Sequence, residues 1–464
     1  MVDLFLTAFL LAFVALGIRR PFLWVLAYLY VDILAPQKIS WMILSKVPVS
    51  MIVWMAAFGG WLLVDAKEHS RFTLRQVLLV LLLLWCGYTT LMADFPGDAV
   101  NKWSWVWKAL LFAIFLPLTL RTRLRLEAAV LVMVLTVGAI IISGGMKTAM
   151  GGGGYGFLKL FVNDNSGLYE GSIISCVAIA VIPLIVWLMK HGTIFPPEWR
   201  VKTFAIALIF ACCLMPVGTQ ARTGLLCIGL LGVLSLRTVK RRFLYLTLIG
   251  TLALVSVPFL PDSFRARMST IENHQADESA STRIQVWQWT WDYVKDKPMG
   301  GGFFAYLGNK ISYKTVKKDD SGGMTSIETQ QITDQGRAYH SSYFEMLGEQ
   351  GWPGFVLWAL LQLSGLWQME RLRRRWLKRT GPGEQWQAPL ATALQHAQLI
   401  YLLGSLFVGI AFQPFILMLI GLQCGLWSYL RRVEQPVGAR LRAKPGPGLT
   451  PSGLKPLKPV DAAL

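Results

Sequence analysis

The stretch LYEGSIISCVAIAVIPLIVWLM, residues 168–189, is a mostly apolar run that ends at the basic Lys190. Similar blocks of about 15 to 20 residues recur along the chain, and this length crosses the hydrocarbon core of a bilayer as a helix. Of the 464 residues, 54% are apolar and only 15% are charged. The sequence therefore predicts an all-α polytopic membrane protein.

Twelve or thirteen transmembrane helices are expected, because the first two blocks are short and Pro414 either kinks one long helix or separates two. The expected organisation is a helix bundle over 1–260, a large loop over 261–351, C-terminal transmembrane helices over 352–432 and a tail over 433–464. The tail is rich in Pro, Gly and Lys, which is typical of disorder. The candidate spans are 3–18, 21–35, 47–64, 76–92, 104–120, 127–143, 168–189, 203–217, 223–236, 243–259, 353–369, 391–410 and 414–430.

Short basic clusters between the apolar blocks give the chain its formal net charge of +19. They recur on alternate connections, so the positive-inside rule predicts that these connections are cytoplasmic, and no nucleic-acid partner is expected. The loop 261–351 then lies on the outer face, together with the short loop 219–223 and the glycine-rich loop 144–167. The clusters are Arg19-Arg20 and the stretches 67–75, 121–125, 190–202, 237–242 and 371–379.

Two helix patterns interrupt the outer loop. A tryptophan-rich apolar stripe between Ile284 and Val294, which Pro298 closes, predicts one helix from about Ser281. A second helix is predicted to begin near Ser341 or Ser342, and Gly351 and Pro353 close it. The loop is therefore expected to be partly helical.

Of five histidines, His340 is the one that combines a position in the outer loop with a helix start. The partial positive charge at a helix N-terminus disfavours an imidazolium and favours the neutral ring. A neutral imidazole at pH 7 is a competent general base. Alternatively, His340 is a structural residue that caps or hydrogen-bonds to the helix.

Three arginines are candidates for binding an anion on the outer face. Arg222 lies at the outer end of a span, where it either binds an anion or anchors the chain to lipid headgroups. Arg283 is expected in the first turn of the tryptophan-rich helix, where its guanidinium and the free backbone N–H groups could converge on one phosphate. Alternatively, it is a solvated charge at the helix start. Arg265, together with Arg267, precedes it in the same loop.

Neither a nucleotide nor a metal ion is expected. The glycine runs GGGGYG at 151–156 and MGGGFF at 299–304 lack the Lys-Ser/Thr that follows in a phosphate loop, so they predict flexible or tightly turning backbone. The outer acidic residues, among them Asp164 and Asp292, form no spaced carboxylate cluster. The six cysteines all lie in apolar segments without metal-ligand spacing. We expect no cofactor.

Three motifs follow one another around the large outer loop: QARTGLL at 220–226, TRIQVWQWTWDYVKDKPMGGGFFAY at 282–306 and HSSYFEMLGEQGWPG at 340–354. Their order and spacing resemble the O-antigen ligase and polymerase superfamily, whose members are glycosyltransferases that use polyprenyl-pyrophosphate glycans. Ala221 stands where relatives commonly have serine before the arginine. The segments IRRPFLWVLAYLYVDILAPQKISW and FVNDNSGLYEG are similar to the exosortase-associated O-glycosylation ligases, which leaves the acceptor open.

The resemblance implies a GT-C-like membrane enzyme of the bacterial inner membrane with its active site on the periplasmic face. It implies metal-independent, inverting transfer of O-antigen from undecaprenyl pyrophosphate to the lipid A core in lipopolysaccharide biosynthesis. The alternatives are an O-antigen polymerase, a ligase that acts on protein or, in another class, a transporter of the same lipid. The implied site residues are His340 as general base, Arg222, Arg283 and Arg265 as pyrophosphate ligands, and Tyr343 and Glu349 as supporting residues.

Overall fold

The computed structural model describes residues 2–65, 67, 72–151, 158, 160–162, 167–238, 244, 247, 251, 278–319, 326–379, 381 and 383–434. Several features predicted from the sequence lie outside these residues: Arg265, Arg267, Asp164, most of the span 243–259 and nearly all of the C-terminal tail. His274, the other histidine of the predicted outer loop, also lies outside them.

The described residues form helices at nearly all the predicted apolar blocks. The helices are α1 (Val2–Arg19), α2 (Phe22–Leu34), α3 (Pro36–Ile39), α4 (Val49–Leu63), α5 (Leu74–Leu91), α6 (Pro96–Thr119), α7 (Arg123–Ala149), α8 (Gly171–His191), α9 (Trp199–Thr219), α10 (Arg222–Ser235), α11 (Glu278–Asp296), α12 (Ser342–Trp376), α13 (Gln387–Gly404) and α14 (Pro414–Val433).

Six of the described helices are long and apolar enough to cross a membrane: α1, α5, α7, α8, α9 and α14. The helices α2, α4 and α10 are also apolar but shorter. A helical multi-pass membrane protein is therefore confirmed, while the total of twelve or thirteen spans stays a prediction.

The centre of the bundle is built from α8, α13 and α14. The apolar parts of α8 and α14 are 78% and 83% buried, whereas that of α1 is only 22% buried. A helix that is apolar on all sides and buried on all sides belongs to the interior. We call the outer end of the bundle the end at which α6, α8 and α10 begin.

The predicted glycine-rich loop 144–167 begins later than expected, because α7 continues to Ala149. Gly144 and Gly145 lie inside this helix, where they allow a close approach to α9. A β-carbon at Gly144 would lie 2.6 Å from Sδ of Met215, and one at Gly145 would lie 3.0 Å from the β-carbon of Ala211. Close packing between helices thus stabilises helical backbone that glycine disfavours by itself.

The outer region contains a β-hairpin that the sequence analysis does not predict. β1 (Lys310–Asp319) pairs antiparallel with β2 (Ser326–Gln335), with Lys310 opposite Gln335. Both segments contain β-branched residues at short spacing, which favour strands. The loop is therefore partly helical, as predicted, with a hairpin between its two helical parts.

The two predicted elements around Gly351 are both present, as the two helical parts of α12 on either side of a break. The helix begins at Ser342, as predicted, and its backbone is broken at Gly351, with φ of 63° and ψ of −169°. The part before Gly351 is the predicted outer helix, and the part after it contains the predicted span 353–369. The predicted span 391–410 ends earlier than expected, because α13 stops at Gly404. The connection between α13 and α14 is therefore longer than predicted.

Candidate active site

A cleft of about 420 Å³ opens at the outer end of the bundle. We call it the outer cleft. Side chains from α6, α11 and α12 meet there with the connection between α13 and α14 and the residues before α8. Its charged and titratable lining includes Lys102, Glu170, Arg283, His340, Glu345 and Glu349.

His340 lies on the wall of the outer cleft with its side chain exposed. Its φ of 47° is in the left-handed region, which costs residues with a side chain about 1–3 kcal/mol. The N-cap of α12 is Ser341, so His340 precedes the capping position and does not occupy it. The surrounding structure therefore holds the imidazole in the cleft against a backbone preference.

The serine that follows the cap fixes this segment in place. Ser342 Oγ donates to the carbonyl of Val408 at 2.9 Å and accepts from the N–H of Ile410 at 2.8 Å. From the other side, Trp287 Nε1 donates to the carbonyl of Tyr339 at 2.8 Å. The His-Ser-Ser segment is thus held between α11 and the α13–α14 connection, and both contribute walls to the cleft.

The environment of His340 favours its neutral form. Loss of hydration lowers the pKa of His340, and the nearby guanidinium groups of Arg283 and then Arg337 lower it further. Arg337 is held by Asp334, with Nε to Oδ2 at 2.8 Å, and by the side chain of Asn309, which accepts its backbone N–H at 3.0 Å. Arg337 was not a sequence candidate, although it precedes His340 by only three residues.

Arg283 lies in the outer cleft, but the prediction that it occupies the first turn of its helix is wrong. Helix α11 begins at Glu278, so Arg283 lies in the second turn. No glycine or proline interrupts the residues between them, and the helix therefore extends over this stretch. Arg283 contributes its guanidinium to the cleft without the free N–H groups of a helix start.

Arg222 is the first residue of α10, which confirms its position at the end of a helix. Gln220, with φ of 53°, closes α9 just before it, and Gly224 packs tightly against Pro216 of α9. Arg222 therefore lies at the outer end of the bundle, yet it is not one of the residues that line the outer cleft. The structure places Arg283 and His340 in the lining of the same cleft and Arg222 outside that lining.

The cleft also contains a buried ionic cluster that the sequence analysis did not identify. Lys102 Nζ lies 2.7 Å from Glu345 Oε1 and 2.8 Å from Glu349 Oε2, and these three side chains are 8%, 9% and 1% exposed. We call these residues the Lys102 triad. Three phenyl rings enclose the ammonium group, with centroids 5.2 to 5.5 Å away: Phe303, Phe304 and Phe412.

The Lys102 triad joins three parts of the cleft wall. Glu349 Oε1 accepts the N–H of Phe304 at 3.0 Å, and Glu345 Oε2 accepts the N–H of Ala411 at 3.1 Å. A lone lysine on the predicted outer face was the available sequence signal, but only the fold pairs it with two glutamates. Glu349 was expected to support the site, and the triad shows the contacts through which it holds the wall.

Burial and charge act in opposite directions within the triad. Burial lowers the pKa of Lys102, but Glu345 and Glu349 raise it more, so that the ammonium stays charged. Burial raises the pKa of Glu349, which Lys102 offsets only in part. Lys102 is thus the cation that makes two buried carboxyl groups tolerable next to the cleft.

The glycine run MGGGFF is tightly turning backbone, as one of its two interpretations predicts. The N–H groups of Gly301 and Gly302 donate to the carbonyls of Gly348 and Glu349 at 3.0 and 2.9 Å. A β-carbon on Gly351 would lie 2.3 Å from the carbonyl carbon of Met299. The run therefore packs directly on the helix turn that carries Glu349. The run GGGGYG lies largely outside the described residues.

The other sequence candidates that the structure describes are not among the residues that line the outer cleft. Tyr343 donates its hydroxyl to the carbonyl of Leu402 at 3.2 Å and packs edge-on against Trp358, so it stabilises the contact between α12 and α13. Asp292 forms an exposed ion pair with Lys295 at 2.6 Å. Within the described ranges, no three His, Cys, Asp or Glu side chains come together as a group that could hold a metal ion.

These features define a polytopic membrane protein with a polar cleft, at one end of its bundle, that contains an exposed histidine beside arginines. Residues 204–359 match the family described as O-Antigen ligase, which confirms the resemblance to the O-antigen ligase superfamily. The match does not confirm the exosortase-associated subgroup. It supports a ligase or polymerase of lipid-linked glycans in general.

Residues 1–193 match a family of unknown function. No curated protein matches the chain. Residues 1–193 contribute Lys102 and Glu170 to the outer cleft, whereas Arg283 and His340 come from the segment that matches the O-antigen ligase family. The cleft is therefore built across both matched segments.

Proposed function

We propose that this protein is an O-antigen ligase that transfers a glycan from undecaprenyl pyrophosphate to the lipid A core on the periplasmic face of the inner membrane. One observation carries the proposal. His340, in the segment that matches the ligase family, presents an exposed imidazole to the outer cleft, where loss of hydration and then the charges of Arg283 and nearby Arg337 lower its pKa. A neutral imidazole beside guanidinium groups combines a proton acceptor with cations for an anionic donor.

In the proposed reaction, His340 takes the proton from an acceptor hydroxyl while the oxygen of that hydroxyl attacks the anomeric carbon of the donor glycan. The bond between that carbon and the pyrophosphate oxygen breaks, and the electron pair leaves with the pyrophosphate. Attack from the side opposite the leaving group inverts the configuration. The donor brings its own activated bond, so the transfer needs no ATP.

The pyrophosphate gains negative charge as it leaves, and guanidinium groups stabilise such charge because their planar donors pair with two oxygens at once. Arg283 is the residue of the proposed set that lines the cleft. Arg222 is assigned to the same role from the outer end of α10. Arg265 completes the proposed set and lies outside the described residues. With cations on the leaving group, we expect no requirement for a divalent metal ion.

The test is to incubate the purified full-length protein with undecaprenyl-pyrophosphate glycan and separate acceptors, with and without EDTA. We expect glycosylated lipid A core in both conditions. Lengthened lipid-linked glycan would instead show a polymerase, glycosylated protein would show a protein ligase, and movement of the donor without any new bond would show a transporter. Loss of product in EDTA that Mg²⁺ restores would contradict the metal-independent mechanism and implicate acidic residues such as Asp164 or Asp292.

Replacing Arg283 by lysine is expected to lower the transfer rate by about tenfold or more, because an ammonium keeps the charge but not the two-pronged contact. We expect a similar loss for Arg222→Lys. Both losses are measured as kcat and KM for the lipid-linked donor. Arg374→Lys is the matched control, since Arg374 is exposed at the opposite end of α12 and pairs with Glu370. Full activity in Arg222→Lys would leave only the headgroup-anchor interpretation of this residue.

A further inference from the structure

A second polar cleft, of about 430 Å³, lies at the end of the bundle opposite the outer cleft. It opens between the last turns of α12 and α14 and the residues that begin α5. Ser342 lies in the first turn of α12 and Arg375 lies in its last turn, so the two clefts are at opposite ends of α12. We call it the arginine cleft. Its lining includes Trp367, Arg371, Arg375, Trp427, Arg431 and Arg432.

Two tryptophans orient two of these arginines. The guanidinium carbon of Arg371 lies 5.2 Å from the ring centroid of Trp367 and 6.0 Å from that of Trp427. The guanidinium carbon of Arg431 lies 5.6 Å from the ring of Trp427. A guanidinium that lies over an indole ring still has N–H donors that an anion can reach.

The arginine cleft carries an excess of positive charge. Its acidic residue, Glu434, is engaged by Arg375 at 2.9 Å and by Arg379 at 3.5 Å. Within the part of the chain that the structure describes, no ion pair is found for Arg371 or Arg431. The cleft therefore offers two oriented cations to an anion from outside the protein.

An apolar surface leads along α12 to this cleft. Val356, Leu360, Leu363 and Trp367 follow one another at helical spacing, and their side chains are 48%, 48%, 62% and 58% exposed. In a membrane protein such a stripe contacts lipid chains, and exposed tryptophans gather at the level of the headgroups. The apolar stripe ends where the two arginines begin. A phospholipid has the same order, with apolar acyl chains next to a charged phosphate.

We propose that the arginine cleft binds an anionic phospholipid of the predicted cytoplasmic leaflet, with its phosphate on Arg371 and Arg431 and an acyl chain along the exposed stripe of α12. Basic pockets between transmembrane helices on this side of a membrane recognise anionic headgroups. The site is separate from the proposed transfer reaction, because it lies at the other end of α12. It does not depend on the identity of the donor or the acceptor.

The experiment measures lipid binding to the purified full-length protein by native mass spectrometry, with phosphatidylglycerol as the probe and phosphatidylcholine as the neutral comparison. We expect phosphatidylglycerol to remain bound to the wild-type protein. Arg371→Gln combined with Arg431→Gln should weaken that binding by about tenfold or more, since each surface arginine contributes about 1 kcal/mol to binding of an anionic lipid. Equal retention of phosphatidylcholine by the wild-type protein would overturn the proposal.

The matched control removes the same charge at the same end of the bundle but outside the cleft: Arg200→Gln combined with Arg374→Gln, both at exposed positions. If the control pair weakened phosphatidylglycerol binding equally, the lipid would be attracted to the basic surface in general. That result would overturn the proposed binding site. Binding of inorganic phosphate in place of the lipid, competing at equal concentration, would overturn the lipid assignment as well.

A charge-conserving variant keeps the test decisive if the glutamine pair does not fold. Arg371→Lys combined with Arg431→Lys preserves the net charge, and we expect it to bind phosphatidylglycerol several-fold more weakly than the wild type, because an ammonium does not reproduce the planar donor edge. Unchanged affinity in this variant would contradict recognition by oriented guanidinium groups.

Discussion

Replacing His340 by asparagine is expected to lower the rate of glycan transfer by at least about a hundredfold while the protein stays folded. Asparagine tolerates the left-handed backbone that His340 adopts, with φ of 47°, better than most residues do. The substitution therefore spares the local fold and removes the proton acceptor. The measurement is kcat with purified donor and acceptor, and donor binding should persist because Arg283 remains in the cleft.

The same assignment fixes the direction of the pH dependence. Loss of hydration, Arg283 and Arg337 lower the pKa of His340, so the imidazole stays neutral down to a lower pH than an ordinary histidine. A general base works in its neutral form. Activity should therefore be full at neutral pH and fall on acidification, with a midpoint below the ordinary value of about 6.5. A midpoint above that value would contradict the geometry of the cleft.

His191→Asn is the matched control, because His191 ends α8 at the opposite end of the bundle. It should transfer glycan at the wild-type rate. If His340→Asn also does so, His340 is not the base and another outer group must take the proton. His274, outside the described residues, would then be the first to replace.

Replacing Lys102 by methionine is expected to destabilise the protein by about 3–5 kcal/mol, because it leaves the carboxylates of Glu345 and Glu349 buried without their cation. The measurement is equilibrium unfolding in mixed micelles at pH 8. Lys295→Met is the control, since Lys295 and its partner Asp292 are 61% and 72% exposed, and an exposed pair contributes about 0–1 kcal/mol. A loss no larger than in the control would show that the triad does not hold the cleft.

The loss of stability caused by Lys102→Met should depend on pH. Burial already raises the pKa of Glu349, and removal of Lys102 withdraws the charge that opposes this shift. When the pKa of a carboxyl group is higher in the folded than in the unfolded state, the protein loses stability as the pH rises through the folded-state pKa. The defect of Lys102→Met should therefore be smaller at pH 5 than at pH 8. Adding Glu349→Gln to the variant should recover part of the lost stability at pH 8.

The class of protein and the positions of most of its described apolar helices follow from the sequence alone. Apolar blocks such as 168–189 predict α8 (Gly171–His191) because a bilayer admits only backbone that satisfies its own hydrogen bonds, and a helix does so within one segment. The start of α12 at Ser342 was also predictable, since it depends on local backbone chemistry. For the MGGGFF run the sequence left flexible and tightly turning backbone open, and hydrogen bonds to the distant Gly348 and Glu349 decide for the turn.

The arrangement of the candidate site could be predicted only in part. The placement of His340 before a helix is a local property, and the sequence indicated it. Its partners are not local: Arg283 precedes it by 57 positions, and Arg337 is brought to it by the loop geometry. The extent of α11 also differed from expectation, because the sequence had no sharp signal for its first residue.

The sequence by itself determined a helical membrane protein, motifs that resemble the O-antigen ligase superfamily and a histidine placed just before a helix, because each of these is written in composition or in short-range order. Only the tertiary structure decided that Lys102 meets Glu345 and Glu349 across 243 and 247 positions of chain. It likewise separated Arg222 from the cleft lining and Tyr343 from the site. Contacts between distant segments depend on how whole helices pack, and no local pattern in any one of them specifies its neighbour.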